Sequence, residues 1–145
     1  MHQPPPLHLA NVVGPVVAAL AFIAIMSLVR EPARRSFNAI LLAGAAGVYL
    51  SGGLGPWELL FPAALAVVAY RGLHSYRYIG LGWFMHSGWD LVHHFYGQPI
   101  WPWAPSSSFG CLIFDAVIAI WFIAGAPSVI TLFARSPAPP RVATR

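Results

Sequence analysis

The chain has 145 residues, of which 58% are hydrophobic and only 8% charged, with eight Lys+Arg against four Asp+Glu. Soluble domains carry about 25% charged residues, so too few charges remain to coat a water-facing surface, and the apolar excess excludes intrinsic disorder. All eight cations are arginines that flank apolar runs in ones and twos. That pattern orients a membrane protein and argues against nucleic acid as a partner.

The composition reads as an all-α integral membrane helical bundle, and the apolar runs set its helices. Residues 1–8 form an N-terminal tail without Lys or Arg, in which His2 and His8 are solvated. The run 9–29 is uncharged, too long for a cleaved leader and without its positive flank, so it reads as a retained helix. The apolar stretch from Phe37 to Tyr70 exceeds one span and is broken at Ser51-Gly52-Gly53-Leu54-Gly55-Pro56. It therefore divides into helices over 37–52 and 56–70, the second tilted or kinked by Pro62. A fourth helix is expected over 78–96 and a fifth over 109–133, bent near its end by Pro127. Residues 9–133 then make a single transmembrane domain, followed by a Pro/Arg-rich tail over 134–145.

Five crossings put every arginine on one side: Arg30, Arg34 and Arg35 after the first helix, Arg71 and Arg77 after the third, and Arg135, Arg141 and Arg145 after the fifth. By the positive-inside rule the N-terminus is outside and the C-terminus cytoplasmic. Trp57, Phe95, Tyr96, Trp101 and Trp103 fall near the outer boundary, and Tyr70, Tyr76 and Tyr78 near the inner one. Ala39, Ala43, Gly47 and Ser51 form a small-residue stripe suited to close packing in the monomer or to a homo-oligomer.

Glu58, Asp90 and Asp115 lie inside expected spans, where a charged carboxylate costs about 2.5–3.5 kcal/mol near mid-bilayer. They must be protonated, paired, metal-bound or wet, and intramembrane ionisable groups are functional candidates. In the fourth helix, His86, Asp90, His93 and His94 occupy an arc of about 100° on one face. Imidazole with carboxylate suits zinc, iron or manganese, so these residues are candidate metal ligands, although one helix face seldom supplies a full shell. His86, Asp90, Glu58 and Asp115 are candidate acid–base residues, with Cys111 one turn before Asp115 on the same face. A hydrogen-bonded polar layer that only holds the bundle together explains the same residues without chemistry.

Three segments carry a resemblance: Leu50 to Glu58, Gly82-Trp83 through His86-Ser87-Gly88-Trp89-Asp90 to His93-His94, and Ala104 to Asp115. Over roughly residues 37–130 the chain resembles a family of small bacterial multi-pass membrane proteins known only as a domain of unknown function. The resemblance implies a bacterial inner membrane and brings no assigned activity. Asp90-Leu91-Val92-His93-His94 is similar to one histidine box of membrane desaturases and hydroxylases, enzymes that need several. The intramembrane acids, His and Trp are similar in composition to the emopamil-binding-protein type of sterol isomerase. The functional expectation is a metal-dependent or acid–base enzyme on a lipophilic substrate in the lipid bilayer. A small transporter or proton-relay subunit, or a structural accessory protein, remains the alternative.

Overall fold

A computed structural model describes residues 5–50 and 52–130. The expected 134–145 tail, the end of the fifth helix, Ser51, His2 and three of the arginines lie outside the described residues. The described chain is all-α, with helices α1 (Ala10–Leu28), α2 (Ala33–Ala45), α3 (Trp57–Gly72), α4 (Tyr76–Tyr96) and α5 (Ser107–Ile123).

Three boundaries differ from the sequence reading in ways that matter: both ends of α2 and the end of α5. α2 starts at Ala33 because Arg34 and Arg35 find partners at the helix start instead of trailing in a loop: Arg34 pairs with Glu31 and Tyr76, and Arg35 donates to the Leu73 carbonyl. Past Ala45 the helix tightens into successive i→i−3 turns, Gly47 to Gly44, Val48 to Ala45, Leu50 to Gly47 and Gly52 to Tyr49. α5 ends at Ile123, well short of 133, because Gly125 (φ 89°) and Ala126 (φ 50°) take left-handed conformations just before Pro127.

α4 is the hub: it packs on α2, α3 and α5, while α1 lies against α5. Missing side chains let it come close. A Cβ at Gly80 would stand 2.8 Å from the Ala119 carbonyl oxygen, and one at Gly82 would stand 2.3 Å from Leu42. Leu42, Leu65, Ile79, Ile118 and Phe122 fill the core between these helices. Ala39 of the small-residue stripe is buried in the α2–α3 contact beside Ala69, and Ala43 and Gly47 are exposed.

The loops sort into two ends. Arg34 to Tyr76 and Arg35 to Leu73 join the α1–α2 and α3–α4 connections at one end. At the other, the Gln98 N–H donates to the Gly52 carbonyl at 2.9 Å, and Asn11 donates to the Ser106 hydroxyl at 2.9 Å.

Polarity is inverted relative to a water-soluble bundle. Val17, Leu20 and Ile25 on α1, Ile40 on α2, Leu59 and Val67 on α3 and Ile120 on α5 are all more than half exposed, while Asp90, Asp115, His86 and Glu58 are buried. Among the described residues, only α1 is both long and apolar enough to cross a membrane by length and composition.

Candidate functional site

The site is assembled by α4 and α5, with the end of α2 as its third wall. Asp90 follows His86 by one helical turn, so both side chains leave the same face of α4. Asp115 projects from the facing turn of α5. His86 Nδ1 lies 2.7 Å from Asp115 Oδ2 and 3.3 Å from Asp90 Oδ2. His86 Nε2 lies 3.0 Å from the Ala45 carbonyl oxygen. A carbonyl only accepts, so Nε2 carries a hydrogen and donates it. The proton on the short line between Nδ1 and Asp115 is then shared: either an imidazolium N–H donates to the carboxylate, or a protonated Asp115 donates to the ring nitrogen.

Asp90 is fully buried, and its Oδ1 accepts a hydrogen bond of 2.7 Å from the Tyr49 hydroxyl. Tyr49 reaches it because the turns after Ala45 carry the chain back over α4. Ser87, beside His86, donates to the Leu112 carbonyl at 2.9 Å and pins α4 to α5 at this level. The sequence reading did not include Tyr49 or the Ala45 carbonyl. A tyrosine alone in an Ala/Gly/Val run was the available signal, since a buried phenol needs a partner.

Of the residues anticipated from sequence, His86, Asp90 and Asp115 come together, each able to offer one ligand atom within 4.8 Å of the others. Glu58, His93 and His94 stand apart from that point. Glu58 accepts the Leu54 N–H at 2.8 Å and fastens the loop before α3. The His93 ring stacks on Tyr49 with centroids 3.7 Å apart and meets Trp89 edge-on. It is wedged against Gly52 and Gly97, where any Cβ would lie 2.3 Å from the ring. His94 packs against Phe95 and Phe109. A 100° arc on one helix cannot close around one centre; the second helix supplies the closing group.

His86 and Asp115 also reach the wall of a cavity of about 410 Å³. Ala45, Val48, Trp83, Ile100, Trp101 and Phe114 make it apolar, and Cys111, one turn before Asp115, is its other polar edge. A largely apolar chamber with a few convergent polar groups is the usual form of a small-molecule site.

These features define a class: a helical bundle with a buried imidazole held between two carboxylates beside an apolar cavity. The chain belongs to the family of unknown function DUF6010, which matches residues 10–128 and so takes in every residue of this cluster. No curated protein and no solved structure matches it.

Proposed function

We propose that this protein is an integral membrane enzyme that acts on a lipophilic small molecule, with His86, Asp90 and Asp115 as its polar centre. The observation that carries the reading is the position of the His86–Asp115 pair at the wall of an apolar cavity. The inverted polarity of the bundle supports the bilayer as its surroundings. α2, α3 and α5, at about 20–26 Å by their rise per residue, are shorter than the roughly 30 Å hydrocarbon core. They cross with the turns that extend them and with local thinning of the bilayer. The end that carries Arg34 and Arg35 faces the cytoplasm.

The substrate sits among Val48, Trp83 and Phe114 with a polarised atom toward His86 and Asp115. The pair holds its proton on a short, water-poor line and gives it to, or takes it from, that atom. Asp90, oriented by Tyr49, stabilises the imidazolium whenever the proton rests on the ring. General acid–base groups of this kind contribute typically about 10²–10⁴-fold to rate.

The test is an untargeted mass-spectrometric comparison of apolar membrane extracts incubated with the purified protein and with its Asp115→Asn variant. The expected result is at least one species consumed by the parent and left intact by the variant. Identical extracts after both incubations contradict the reading.

A further inference from the structure

We infer that His86 Nδ1, Asp90 and Asp115 form a tetrahedral binding site for one divalent transition-metal ion of the zinc class. The first argument is charge. With His86 neutral and both carboxylates ionised, the buried cluster carries two negative charges. One shared proton leaves it one charge short of balance in apolar surroundings, where net charge is costly. Two protons balance it, and so does one divalent ion.

The second argument is orientation. A metal-binding imidazole characteristically donates its other ring N–H to a carboxylate or backbone carbonyl, which fixes the tautomer and leaves the remaining nitrogen bare. His86 does this through Nε2 to Ala45, so Nδ1 is the nitrogen presented to the two carboxylates. Tyr49 fixes Asp90 through its other oxygen, Oδ1, and leaves Oδ2 facing Nδ1.

The third is spacing. Ligands about 2.1 Å from a tetrahedral ion are about 3.4 Å from one another. Nδ1 to Asp90 Oδ2 is already 3.3 Å, and Asp115 Oδ2, now at 2.7 Å, needs only a small side-chain movement. The three protein ligands leave a coordination position open, and the cavity bordered by Cys111 adjoins His86 and Asp115. Mixed nitrogen and oxygen donors on a water-poor wall select an ion of this class over calcium or magnesium.

The inference rests on the cluster being the polar centre proposed above, with the ion taking the place of the proton that His86 Nδ1 and Asp115 share when no ion is bound. Its test is run without substrate, so its failure would leave the extract comparison to decide that reading separately. The full-length protein, purified in detergent and stripped with chelator, is titrated with cobalt(II) and followed by visible absorption and calorimetry. The expected result is one ion per chain, an intense tetrahedral spectrum, and release of one to two protons per ion read from buffers of different ionisation enthalpy. Asp115→Asn and His86→Gln are expected to weaken binding by more than about 100-fold, beyond the 10–100-fold typical of an outer partner. Tyr49→Phe is expected to fall within that 10–100-fold range, and Gly88→Ala, whose added methyl meets nothing within 4 Å, to bind like the parent. If a variant does not fold, the spectrum, stoichiometry and proton release of the parent decide alone. A parent that takes up no ion, takes it up without proton release, or gives only an octahedral spectrum overturns the inference.

Discussion

Two polar clusters in this molecule use the same parts with different outcomes. At the arginine-bearing end, the Tyr76 hydroxyl and the Arg34 guanidinium both donate to Glu31. In the interior, Tyr49 donates to Asp90, and His86 stands between Asp90 and Asp115. The first cluster has one cation for one carboxylate, and the Glu31 side chain is 43% exposed. It is balanced, wet and complete. The second has two carboxylates for one imidazole, and all three side chains are buried. A charge imbalance that would cost little at the surface becomes, in the interior, a demand for a proton, an ion or a substrate.

The comparison breaks most sharply at His86. His86→Ala removes the imidazole that faces both buried carboxylates, leaving Asp90 to Tyr49, and is expected to destabilise the protein by about 3–5 kcal/mol in detergent unfolding measurements. Adding Asp115→Asn to that variant should restore part of the loss. Tyr49→Phe removes a buried hydrogen bond to a carboxylate and should cost about 1.5–3 kcal/mol by the same measurement.

The frame that holds the inner cluster is tested next. Gly80→Val drives a side chain into the α5 backbone near Ala119 and Ile123 and should cost about 1–3 kcal/mol. Gly88→Ala on the same helix meets nothing within 4 Å and should be neutral or stabilise by up to about 1 kcal/mol. Equal effects at the two glycines would contradict the packing of α4 on α5.

The smallest effect belongs to the outer cluster. Glu31→Gln should cost no more than about 1 kcal/mol, as exposed ion pairs do. Partial burial pushes the Glu31 carboxyl up, but the hydrogen bonds from Tyr76 and Arg34 and the charges of Arg34 and Arg35 outweigh it and hold the group below its ordinary value of 4.5. A lowered carboxyl stabilises the fold fully above the ordinary value and loses that contribution as pH falls through the lowered one. The difference between the parent and Glu31→Gln should therefore be constant near neutral pH and close as the pH falls below about 4.5.

Hydrophobic runs and Gly/Pro breaks were enough to place all five helices, because both signals are local in the chain. The ends of α2 and α5 were not legible: one depends on Arg34 meeting Tyr76 far along the sequence, the other on left-handed residues that include an alanine. His86 and Asp90 pair by helical periodicity, and Asp115 stands beside them in the sequence only as a further candidate acid–base residue. Which histidine faces the centre was not readable, because it is decided by Tyr49 stacking on His93 and by Gly52 and Gly97 closing around that ring. Tyr49 reaches Asp90 only through the tightened turns after Ala45, and no local pattern announces that bond.

The central claim is that the buried cluster serves a lipophilic molecule seated in the cavity beside it. Native mass spectrometry of the protein released from detergent, compared with a Val48→Trp variant that fills the cavity, tests this most directly. The account predicts a bound apolar molecule of defined mass on the parent and its loss from Val48→Trp. The same guest retained by both proteins, or a parent that carries none after incubation with membrane extract, would contradict it.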